Sequence, residues 1–67
     1  MKQALKTLQR IEQDTINLGE IIREEGRVAR AELGERQRLG LHGDAAIRHY
    51  NEWMKRHGML HLMVEED

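Results

Sequence analysis

KQALKTLQRIEQDTINLGEIIREEGRVARAEL (residues 2–33) decides the fold. Within it Ala4, Leu8, Ile11, Leu18, Ile22, Ala29 and Leu33 recur at steps of three, four and seven. On a helix of 3.6 residues per turn they fall in one narrow apolar stripe. Leu5, Ile16, Ile21 and Val28 widen that stripe on both flanks. The pattern predicts one long amphipathic helix over about residues 2–33, some ~48 Å at 1.5 Å per residue. Gly19 and Gly26 interrupt it, and each costs up to about 1 kcal/mol relative to alanine in a helix interior. Seven residues apart, they would let a second helix approach closely. The alternative is a break near Gly26, with Arg27 opening a new helix.

Beyond Leu33 the pattern loosens at Gly34 and ends in Arg38-Leu39-Gly40-Leu41-His42-Gly43, a glycine turn over residues 39–43. Asp44 then suits an N-cap, and residues 45–57 form a second, shorter helix. Its apolar face is Ala46, Ile47, Tyr50, Trp53 and Met54 at three-four spacing. After Gly58 comes an apolar tail, residues 59–64, closed by Glu65, Glu66 and Asp67. Periodicity does not choose between helix and strand for so short a run. Packing of the tail on the helices is the favoured reading, and presentation to a partner the alternative.

The expected fold is therefore all-α: a single small domain over residues 1–67, built as a helical hairpin with a long first helix and a shorter return. A helix half as long leaves the stripe from Ala4 to Leu18 without intramolecular cover. Burying it against a second copy predicts a homodimer arranged as a helical bundle. Leu8, Ile11, Leu18 and Ile22 would form the seam, with Tyr50 and Trp53 as aromatic anchors.

Composition agrees with a need for association. Sixty-seven residues lie near the lower limit for a chain that folds alone, and Tyr50 and Trp53 are its aromatic side chains. Without cysteine there is no disulfide framework. No apolar run approaches the ~20 residues needed to span a bilayer, and Lys6, Gln9 and Arg10 interrupt any secretory core. The expectation is a cytoplasmic protein with no membrane contact.

Chemistry-bearing patterns are sparse. No cysteine serves as a nucleophile, and Thr7, Thr15 and Tyr50 sit in no recognisable motif with histidine. The glycines make no phosphate-binding loop, and Glu20, Glu24 and Glu25 lack the Glu-x-x-His spacing of helical di-metal sites. His57 and His61 would share a face only on a helix continuing through Gly58, where their spacing suits zinc or nickel. A histidine pair without metal is the preferred reading. No enzyme, cofactor or metal centre is expected.

Charge narrows the partner class. Eleven Lys and Arg against twelve Asp and Glu give a formal net charge of −1, which lacks the basic excess usual for phosphate binders. A nucleic-acid role would rest on Arg23, Arg27, Arg30, Arg36 and Arg38, with Lys55 and Arg56. Interleaved Glu24, Glu32 and Glu35 favour intrahelical pairing instead. Gly43-Asp44-Ala45 and Tyr50-Asn51-Glu52-Trp53 resemble, over a short stretch, the helical-hairpin chaperones of bacterial type III secretion needles. The second helix here is shorter than theirs, and the resemblance implies a binder of helical partners. The functional expectation is thus a small non-catalytic interaction protein, acting as an adaptor, chaperone or inhibitor on a larger protein. A dimeric RNA- or DNA-binding regulator is the alternative.

Overall fold

The expected long helix divides at Ile22. A computed structural model describes residues 3–17 and 22–66, the side chains of Gln3, Thr15 and Asn17 excepted. Helix α1 spans Gln3–Asn17, α2 spans Arg23–Leu39 and α3 spans Gly43–Arg56, followed by a 3-10 turn at Leu60–Leu62. Ile22 has extended backbone (φ −63°, ψ 159°), and its carbonyl accepts the amide of Gly26 at 2.9 Å. The chain therefore changes direction upstream of Gly26, which lies buried inside α2. Leu18 and Gly19, both important to the long-helix reading, lie outside the described residues, as does Lys2.

Two forces outweigh the in-phase stripe. Glu24 and Glu25 occupy the first turn of α2, where carboxylates meet the positive end of the helix dipole. The break also lets α1 pack on the other two helices, and each of the three touches both of its neighbours. Ala4 and Leu8 of α1 thereby enter one core with Val28 and Ala29 of α2 and with Ile47, Tyr50 and Met54 of α3. Leu8 and Met54 have no exposed surface, and full burial of side chains this size stabilises by roughly 1.5–3 kcal/mol each. A continuous first helix would forfeit the α1 part of that gain. The stretch expected to lie open is thus covered by the chain's own residues from Ala4 to Leu8.

Helix α2 closes at Gly40, whose φ of 70° lies in the left-handed region that glycine enters without steric cost. The amides of Gly40 and Leu41 return to the carbonyls of Gln37 (3.1 Å) and Arg36 (3.2 Å), satisfying the helix end. Helix α3 begins at Gly43, so Asp44 sits within its first turn rather than at the cap. It ends before Gly58, where φ of 73° turns the chain and the Met59 amide reaches the Met54 carbonyl at 2.8 Å.

The tail then runs back over α3. Met59 and Leu62 pack against the core, and Val64 is buried. Polar bonds hold it there. The Asn51 amide donates to the Val64 carbonyl (2.8 Å) and accepts the Val64 N–H (2.9 Å), while the Tyr50 hydroxyl donates to the Leu62 carbonyl (2.7 Å). Asn51 therefore pairs with the tail as a neighbouring strand would, although no strand forms among the described residues.

Candidate functional site

All three helices meet in a cluster of charged side chains. Glu32 lies on α2 between Val28 and Arg36, within the buried arc of the helix, and its side chain has no exposed surface. Its carboxylate accepts two parallel bonds from Arg36, Nε to Oε2 and Nη2 to Oε1, both 2.9 Å. From α3, the His49 Nδ1 meets Oε2 at 2.8 Å. From α1, Glu12 Oε1 stands 2.5 Å from the same Nη2 of Arg36. That contact is an ion pair off the hydrogen-bonding direction, so Glu12 Oε1 is buried without a hydrogen-bond partner among the described residues.

Burial opposes the charge on Arg36, but its hydrogen bonds to Glu32 and the close carboxylates of Glu32 and Glu12 outweigh it and hold its pKa above the ordinary value. Tyr50, next to Asn51 on α3, is pushed up strongly, first by burial and then by repulsion from Glu32, with Arg36 acting in the opposite sense and Glu12 adding to the rise. The bidentate fork is the geometry that makes an arginine–carboxylate pair strong. It joins α1 to α2 through Glu12, and α2 to α3 through His49.

Beside this cluster runs a short column of rings. His49 lies 5.6 Å from Trp53 between centroids, and Trp53 stacks on His57 at 5.5 Å. The indole N–H of Trp53 is buried without a partner among the described residues. A histidine oriented by a carboxylate is the supporting half of many hydrolytic sites. Here the Glu32 contact fixes the orientation of the His49 ring and ties α2 to α3.

The sequence-selected residues fall into separate places. Leu8 and Tyr50, expected at an interface, are 0% and 1% exposed inside the chain's own core. Ile11 and Trp53 are half-buried against it. Ile22 is 64% exposed, and Leu18 lies outside the described residues. Of the arginines expected to form one face, Arg36 points into the carboxylates and leaves that face. Arg27 and Arg38 are exposed and paired with Glu24 and Glu35, and Arg23 and Arg30 are exposed. His57 and His61 share no helix, because α3 ends at Arg56 and His61 lies in the 3-10 turn. His61 Nε2 instead meets Glu25 Oε2 at 2.6 Å, and no cluster of three metal-ligating side chains occurs among the described residues.

Glu12, His49 and Asn51 were missed by sequence reasoning. Glu32 and Arg36 carried a legible signal: a charged pair one turn apart on the same arc as Val28 and Ala29. Nothing local marks Glu12 or His49, since their roles depend on how α1 and α3 dock.

No family model, curated protein or solved structure matches this chain. No helix among the described residues is long and apolar enough to cross a membrane.

Proposed function

We propose that this chain is a small non-catalytic interaction module, an adaptor, chaperone or inhibitor by type, acting in the cytoplasm on a larger protein and self-associating as a dimer. The supporting observation is the placement of two large isoleucines. Ile16, near the end of α1, and Ile22, at the entrance to α2, are 60% and 64% exposed. They flank the α1–α2 connection, while the other described aliphatic residues of the stripe are drawn largely inward. A small domain with little core gains most by burying such side chains against another molecule.

On this reading the contact surface centres on Ile16 and Ile22 rather than on Leu8 and Tyr50, which the chain already covers. The Ile11 and Trp53 side chains, half-buried, lie at its margin only if the partner extends along α1 or α3.

Light scattering over a dilution series tests the reading, comparing the wild type with Ile22→Asp. A concentration-dependent dimer converted to monomer by the substitution, with helicity retained by circular dichroism, is the expected result. A wild-type mass equal to one chain at every concentration overturns the dimer. Identical capture of a binding partner by wild type and variant would remove Ile22 from the contact.

A further inference from the structure

Gly34 lies in the interior of α2, where glycine costs up to about 1 kcal/mol relative to alanine. Its backbone is helical, its surface is exposed, and a Cβ built there would meet nothing within 4 Å. Packing inside the chain therefore gives no reason for glycine at this position. Close approach from outside does.

The surroundings of Gly34 are cationic. At 3.6 residues per turn Arg23, Arg27, Arg30 and Arg38 fall within an arc of about 80° centred on Gly34, and extend some ~22 Å along the axis. All four are exposed. The buried arc of α2, holding Val28, Ala29, Glu32 and Arg36, faces the opposite way, so withdrawal of Arg36 into the core leaves this face intact. Arg27 and Arg38 pair with Glu24 and Glu35 at the edge of the arc. Such exposed pairs are weak and yield readily to a better anion. Arg23 and Arg30 make no ion pair among the described residues.

Four arginines and no lysine favour a planar, multiply accepting anion, because guanidinium groups fork onto phosphate oxygens. The face carries no aromatic ring, since Tyr50 and Trp53 both lie on α3. Without stacking platforms a single strand would not be held by its bases. A double-stranded backbone, gripped by shape and charge, fits better. We propose that the Arg23–Arg27–Arg30–Arg38 face of α2 binds the phosphodiester backbone of duplex nucleic acid, with Gly34 admitting close contact. This face adjoins the Ile16–Ile22 contact at Arg23 but does not depend on it.

Fluorescence anisotropy with a labelled mixed-sequence duplex DNA, repeated over a salt series, tests the proposal. For four phosphates the slope of log K against log salt should be about −3.6. The double variant Arg27→Gln/Arg30→Gln should reduce its magnitude by about two. Lys55→Gln/Arg56→Gln, exposed on α3, should leave it unchanged. Gly34→Leu should weaken binding while the circular dichroism spectrum holds and the melting temperature stays level or rises. Absence of duplex binding at low salt overturns the proposal, as does an unchanged slope in the α2 variant. Binding of polyglutamate in preference to the duplex also overturns it, and identifies an acidic protein as the partner of this face.

Discussion

Helix α2 carries the same ion pair in two settings. Glu32 and Arg36 are joined by a bidentate fork with the glutamate side chain fully enclosed, whereas Glu35 and Arg38, one turn further on, face the solvent. Residue types and helical spacing are nearly equal, yet the two pairs have different consequences. The exposed pair trades one set of water-screened contacts for another. The enclosed pair has lost its water, so every partner it retains matters, and it recruits Glu12 from α1 and His49 from α3. Burial, not chemistry, separates a surface ornament from the joint of three helices.

The comparison breaks most sharply at Glu32. Glu32→Ala leaves Arg36 and the His49 ring without their principal partner in a dry site, and should cost about 3–5 kcal/mol. For a chain of this length total stability is on the order of 3–10 kcal/mol, so urea denaturation should find the midpoint of the variant lowered by a large fraction. The triple variant Glu12→Gln/Glu32→Met/Arg36→Met removes the charges together and should recover most of the loss, because matched apolar side chains often replace buried ion pairs without penalty. A loss under about 1 kcal/mol for Glu32→Ala would put this pair in the same class as its exposed neighbour.

Helical character was readable from periodicity, and so was the inward face of α3, because three-four spacing is a property of neighbours in sequence. The division of residues 2–33 was not. Leu18, Ile22, Ala29 and Leu33 continue the stripe in phase, and the competing gain comes from Leu8 joining one core with Ile47 and Met54, which has no local signature. The charged joint was half legible. Glu32 and Arg36 could be seen to pair, but their side of the helix became the inside only once α1 covered it. Of the arginines read as one face, Arg36 is withdrawn for the same reason, while Arg23, Arg27, Arg30 and Arg38 are exposed.

Between the two extremes lies the neutral clip on the tail. Asn51 is 4% exposed and closes both its bonds on the backbone of Val64. Asn51→Ala leaves a buried N–H and carbonyl unpaired and should cost about 1–3 kcal/mol, less than loss of Glu32 because no net charge is stranded. Thermal melts would measure the loss, and faster proteolysis of residues 59–66 would place it. An unaltered melt would mean that the tail contributes through Val64 and Leu62 alone.

Tyr50 adds a pH-dependent version of the same contrast. Its pKa is raised in the folded chain, so the native state keeps the phenol proton where the unfolded chain, near pH 10, releases it. Its contribution is fully present below about pH 10 and is lost as pH rises beyond, so stability should fall along that alkaline limb. Tyr50→Phe should cost about 1 kcal/mol at neutral pH through the lost bond to Leu62, and should flatten the limb. An equally steep fall in the variant would assign the alkaline loss to another group.

The smallest effect belongs to the exposed pair. Glu35→Gln removes the partner of Arg38 where water is at hand for both, so the change should lie within about 0.5 kcal/mol. Whatever remains should vanish by about 1 M salt, where charges are screened within a few ångströms. Glu32→Gln in the same salt series is the sharper control. It keeps the shape of the enclosed side chain while removing its charge, and its loss should persist at high salt because the site admits little solvent. Equal salt sensitivity in the two variants would mean that water reaches Glu32, and that the joint between the helices is wetter than its closed geometry requires.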